Sequence, residues 1–206
     1  MNEQEHYRLF ISIQIPETIR NEMAAVQAEL RQELPERGVT WTKPEQLHLT
    51  LKFLGNVEAQ RVDALAQRLR VASGGLSPLR LRAEGVGAFP DLRFPRVVWI
   101  GLKDANEELA QVQRAIEEAC GDFTTQQPEG AFKGHVTLGR TKRLSRSEAQ
   151  NLSGLLDGMS RRFFGEWTAA GIELTRSELS SDGARHRIIE EFKFTCDPKH
   201  KPQAEA

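Results

Sequence analysis

Cysteine is nearly absent from this chain of 206 residues, which has only Cys120 and Cys196, far apart and outside any Cys-x-x-Cys pattern. That excludes a disulfide framework or a thiolate metal clip, so we expect two reduced and partly buried thiols. No apolar run approaches the length needed to cross a bilayer. The start, Met1-Asn2-Glu3-Gln4-Glu5-His6, is acidic and polar where a signal peptide would be basic and then apolar. These absences point to a cytoplasmic protein with no membrane partner. An excess of positive charge is also missing: the formal net charge is −1, which argues against a general nucleic-acid binder but leaves room for a local anion site. There is no Gly-x-x-x-x-Gly-Lys-Ser/Thr loop, no Gly-x-Ser-x-Gly elbow and no His-Glu-x-x-His pair. The length suits one sizeable core or two closely packed lobes, so we expect a single two-lobed domain over 1–206, with 198–206 as a disordered polar tail.

What is present is a repeated motif. His48-Leu49-Thr50-Leu51-Lys52-Phe53-Leu54-Gly55 has a shorter counterpart in the same phase at His135-Val136-Thr137-Leu138-Gly139-Arg140. Successive side chains of a strand point to opposite faces. Leu47, Leu49 and Leu51 therefore share an apolar face, with His48, Thr50 and Lys52 on the other; Val136 and Leu138 oppose His135 and Thr137 in the same way.

The flanking segments repeat an order. Tyr7–Ile15 alternates like a strand and stops at Pro16; a helix follows, with Thr18 as cap and Ile19, Met23, Val26 and Leu30 at helical spacing, until Pro35 and Gly38 end it. Val39–Trp41 leads into the first motif, and Glu58–Ala72 reads as a second helix. Leu79–Gly87 and Arg96–Leu102 read as neighbouring strands, then a third helix capped by Asp104 or Asn106 carries Leu109, Val112 and Ile116. After the loop at Pro128-Glu129-Gly130 comes the second motif, then a fourth helix with a capping box at Ser145–Glu148. Two strands, Trp167–Leu179 and His186–Thr195, should close the chain around the loop Ser180-Ser181-Asp182-Gly183. The expected class is α+β: a bilobal, pseudo-symmetric fold with two antiparallel sheets facing a central cleft and helices on their outer faces.

Histidine has an ordinary pKa of about 6.5, so a pair facing one substrate can run acid–base chemistry, one taking a proton from water and the other protonating a leaving oxygen. The hydroxyls of Thr50 and Thr137 suit the oxygens of a tetrahedral anion such as phosphate. A metal site would want a third and fourth ligand, and neither motif offers Asp or Glu, so no metal and no other cofactor is expected. The competing reading places His48 and His135 on unrelated sheet edges, each hydrogen-bonded locally.

At these residues the chain resembles the two-histidine phosphoesterase superfamily, and within it the RNA 2′,3′-cyclic phosphodiesterases long described as 2′-5′ RNA ligases. The resemblance runs through Arg8–Ile13, Trp41, His48–Gly55, Gly87–Pro90, Pro95–Gly101, Phe132–Arg140 and Glu173–Leu179. It implies a bilobal hydrolase that opens 2′,3′-cyclic phosphates on RNA ends or nucleotides to 2′-phosphates without a metal, with weak reverse ligation, working as a monomer without an obligate protein partner. Carried over, it implies His48, Thr50, His135 and Thr137 as the site, with Arg140 gripping phosphate, His135 as general base and His48 as general acid. His186 stands where family members often have Tyr, and Phe53 and Phe89 are candidates either for base stacking or for the core. Two other readings remain: an RNA-end or nucleotide binder without turnover, and an enzyme for another cyclic phosphodiester.

Overall fold

The alternation expected at the start of the chain forms strand β1, His6–Gln14, in the computed structural model, which describes residues 5–126, 130–180 and 183–196. The tail at 198–206 and parts of the loops at 127–129 and 181–182 lie outside the described residues. Pro16, in extended conformation, caps helix α1, Glu17–Glu33, so Thr18 falls inside the first turn. Ile19, Met23, Val26 and Leu30 form its buried stripe. There follow β2 (Val39–Trp41), a 3-10 turn at Pro44–Gln46, β3 (His48–Glu58), α2 (Val62–Gly74), β4 (Leu79–Phe89) and β5 (Val97–Lys103). The second part of the chain gives α3 (Glu108–Cys120), β6 (His135–Thr141), α4 (Arg146–Gly158), β7 (Phe163–Ala169), β8 (Gly171–Ser180) and β9 (Gly183–Lys193).

Local capping follows the sequence closely at two of the helices. Ser145 and Glu148 make the reciprocal capping box of α4. The Asp104 carboxylate accepts the Leu109 N–H at the start of α3. Neither cysteine forms a disulfide, and Cys120 is buried.

All strand pairs are antiparallel, in the order β7-β4-β5-β6-β3-β1-β8-β9, with β2 added beside β6. The α+β class, the antiparallel strands and the covering helices are as expected. The strands of the two halves are arms of one curled sheet, joined where β3 meets β6 at the pair Leu49–Val136. On one side of the sheet a continuous core includes Ile11, Leu49, Val136, Ile100 and Leu174 from strands and Met23, Leu65, Ile116 and Leu152 from the four helices.

Two details depart from the sequence reading. The expected strand Trp167–Leu179 is two strands at opposite ends of the sheet, β7 beside β4 and β8 beside β1, divided at Ala170. Alternation alone cannot mark that break, because both pieces are apolar on one face. Lys52 also lies on the opposite face from that predicted. Register shifts between Leu9 and Phe10 and between Ile11 and Ser12 insert extra residues into β3, and the latter, which falls between Thr50 and Lys52, reverses the alternation there. Lys52 is buried, paired with Glu117 of α3 and donating to the Gln126 carbonyl at 2.7 Å.

Candidate active site

The two motifs meet at the seam of the sheet. Continuing the Leu49–Val136 register by one residue each way sets His48 opposite Thr137 and Thr50 opposite His135. The four side chains therefore form a local two-fold arrangement on one face, with Leu49 and Val136 fully buried on the other. His48 and His135 are diagonal neighbours across this pair, a relation that sets residues roughly 7–8 Å apart with their Cβ atoms somewhat closer. All four polar residues are half-buried.

Each imidazole is held in the same way. His48 Nδ1–H donates to the Gln46 carbonyl at 2.6 Å, and His135 Nδ1–H donates to the Lys133 carbonyl at 2.7 Å. A carbonyl can only accept, so Nδ1 carries the proton in both rings and Nε2 is left as the reactive nitrogen. The sequence gives no sign of this role for Gln46 or Lys133, because it is played by backbone atoms two residues before each histidine.

Aromatic rings enclose both histidines. Phe10 stacks on His48 with ring centroids 4.8 Å apart, and Phe89 stands edge-on to His135 at 5.0 Å. Sequence reasoning misses Phe10 as a site residue, although its position on the polar side of β1 is a signal. The bulge that buries Lys52 brings Phe53 to the histidine face, 53% exposed and with its ring 5.9 Å from that of Phe10. Phe53 is thus no part of the core. Trp99, opposite Thr137, lies so close over Gly87 that a Cβ there would be 2.5 Å from its ring.

Burial, above all, pushes the His48 pKa down to about 4, and the neighbouring His186 adds to the effect; the hydrogen bond to Gln46 opposes it. The His135 pKa is also lowered, first by burial and further by the charge of Arg140, while its bond to Lys133 raises it. Arg140 is exposed near the end of β6, opposite Val97 and Thr40. His186 of β9 sets its ring at 5.4 Å from His48 and 5.0 Å from Phe10, edge-on to both. Among the described residues no three His, Cys, Asp or Glu side chains converge as metal ligands, and no helix is long and apolar enough to cross a membrane.

A curled antiparallel sheet carrying one His-x-Thr on each side of its seam defines a two-histidine phosphoesterase. The chain belongs to the LigT like Phosphoesterase family, whose profile matches it twice, over residues 13–99 and 100–186. The two matches are of equal length, and His48 and His135 fall at the same distance from the start of each, so the seam joins two copies of one unit. A relative from Thermus thermophilus, named RNA 2′,3′-cyclic phosphodiesterase, is 36% identical over 91% of this chain and 90% of its own. One of the same name from Archaeoglobus fulgidus is 31% identical over 90% of this chain and 99% of its own. A crystal structure of a Thermus thermophilus protein superposes with a TM-score of 0.72 at 28% identity, covering 91% of this chain and 98% of that one. E. coli LigT complexed with 3′-AMP has the same fold, with a TM-score of 0.70 at 23% identity over 93% of this chain and all of that one.

Proposed function

We propose that this chain, a single two-lobed domain working as a monomer inside the cell, hydrolyses 2′,3′-cyclic phosphates on RNA ends or nucleotides to 2′-phosphates. The observation that carries the reading is the pair of imidazoles on one face, each with Nδ1–H fixed to a backbone carbonyl and Nε2 free. The names of the relatives support it.

In the proposed reaction His135 Nε2 takes a proton from water as the water oxygen attacks phosphorus. The bond from phosphorus to the 3′ oxygen breaks, and His48, protonated, gives that oxygen its proton. The products are a 2′-phosphate and a 3′-hydroxyl. Arg140 favours the neutral His135 that a base requires. His48 acquires its proton when the phosphate's negative charge enters beside it, because an opposite charge within a few ångströms favours the charged form. The hydroxyls of Thr50 and Thr137 bond the non-bridging oxygens, and Arg140 grips phosphate through two parallel N–H donors. With a 5′-hydroxyl in place of water as the nucleophile, His135 takes its proton, the bond from phosphorus to the 3′ oxygen breaks as before, and the product is a 2′-5′ phosphodiester, which gives weak ligation.

The test is turnover of an oligonucleotide ending in a 2′,3′-cyclic phosphate, with a chelator present. Activity should persist, and His48→Ala or His135→Ala should lower it by about 10² to 10⁴. Loss of activity on chelation, or an undiminished rate in either variant, overturns the mechanism. Binding without product would make the protein an RNA-end binder, and selective turnover of a different cyclic phosphodiester would change the substrate.

A further inference from the structure

The carbonyl that holds His48 belongs to Gln46, and the side chain of Gln46 is also engaged. Its Nε2 donates to the carbonyl of Ala184 on β9. Two residues further along β9, His186 sets its ring against both His48 and Phe10. Gln46 therefore touches the His48 environment twice, through its own backbone and through the strand that carries His186.

The strand it holds is in need of an anchor. β8 pairs with β1 only from Leu9–Arg176 to Ser12–Glu173. Beyond that, Ser177–Ser180 pairs with Gly183–His186 as a two-stranded ribbon running past the edge of β1. A two-stranded ribbon is marginal by itself and takes its position from whatever it is tied to. The second half has no equivalent: Lys133 supplies the carbonyl for His135, but its ammonium lies over the Phe89 ring and donates no hydrogen bond among the described residues.

We propose that Gln46 is a positioning residue for His48, orienting the imidazole through its carbonyl and fastening β9 through its amide so that His186 and Phe10 together enclose the ring. The inference rests on the acid–base reading of His48. The enclosure matters because burial is the main influence on the proton affinity of His48. The groups facing His48 are the Phe10 ring from β1, the Gln46 carbonyl from the turn before β3, and His186 from β9, whose charge opposes its own. The charged residues nearest in these elements are Arg8 on β1, Lys43 and Glu45 around the turn and Arg185 and Arg187 on β9, whose other charges, Glu190, Glu191 and Lys193, lie further along the strand; Arg140 on β6 acts on His135.

Gln46→Met keeps the length of the side chain and removes its donor. The protonation of His48 is followed by NMR in the substrate-free protein, alongside steady-state rates on a cyclic-phosphate oligonucleotide. Once β9 is released, the His48 midpoint should rise by about one pH unit, and kcat should fall roughly tenfold with a smaller change in KM. Lys133→Met should leave the His48 midpoint in place. Combining Gln46→Met with His186→Phe should shift it no further than the larger single effect, because both act on one enclosure. An unmoved midpoint in folded Gln46→Met, or additive shifts in the double variant, overturns the proposal. Should Gln46→Met not fold, Gln46→Arg retains an N–H within reach of Ala184 and must hold the midpoint near its original value; a shift there overturns it equally. The titration needs no substrate, so an inactive wild-type protein would refute the cyclic phosphodiesterase reading and still leave the positioning role to be judged.

Discussion

The imidazole of His48 lies stacked on the ring of Phe10, with centroids 4.8 Å apart and planes inclined by 20°. Phe10 is itself only 3% exposed, so the stack sits on a firm support. Phe10→Ala should cost about 3–5 kcal/mol of stability, the usual range for deleting a buried aromatic ring. It should also move the His48 midpoint back toward the ordinary value, because burial is what lowers it. Denaturant melts and an NMR titration check the two effects separately, and an unshifted midpoint would refute the role given to the stack.

The lowered pKa of His48 has a definite sign in stability. The unfolded chain binds the proton near pH 6.5, whereas the folded chain resists it down to about pH 4. Stability should therefore be intact above pH 6.5 and decline as pH falls toward 4, by at most about 3 kcal/mol from this group. His48→Gln should flatten that part of the curve in chemical denaturation measured at a series of pH values. A slope unchanged by the substitution would show that other groups set it.

Glu173 should act in the opposite direction. Its carboxyl is pushed up to about 7, first by burial and then by Glu191 directly across from it on β9, with Gln14 and Arg20 opposing the shift. Stability linked to this group is present below pH 4.5 and is lost as pH rises through about 7. Glu173→Gln is thus expected to raise the melting temperature at pH 8 and leave it nearly unchanged at pH 4. Equal shifts at the two values would contradict this assignment.

Lys52 offers a test of the bulges in β3. On the helix side, paired with Glu117, it contributes to stability and not to substrate binding. Lys52→Met should cost about 1–3 kcal/mol, less than for a fully buried pair because Glu117 keeps some exposure. The KM for a cyclic-phosphate oligonucleotide should stay within error of wild type. A several-fold rise in KM, with the melt unaffected, would return this lysine to the histidine face.

Much of this arrangement is legible in the chain. The doubled His-x-Thr, the apolar partners at Leu49 and Val136, the stripe of α1 and the capping box at Ser145 all follow from local periodicity and side-chain chemistry. The position of Lys52 is not legible, because a bulge is a property of strand pairing and leaves no mark in an alternating pattern. For the same reason Trp167–Leu179 reads as a single strand. Gln46 is hidden for a different reason: one of its contacts is made by a backbone atom and the other joins residues 138 apart in sequence.

The seam at Leu49–Val136 has a further consequence. A four-point cradle with near two-fold symmetry cannot by itself distinguish a 2′ oxygen from a 3′ oxygen, since turning the phosphate over presents it with the same groups. Reading direction along a ribose must come from what is not duplicated. Here that means His186 and the β9 ribbon over one histidine, and Phe89, Lys133 and Arg140 beside the other. Under the proposed mechanism, regiochemistry is thus carried by the unlike flanks, while the matched pair at the centre would supply chemistry without a sense of left and right.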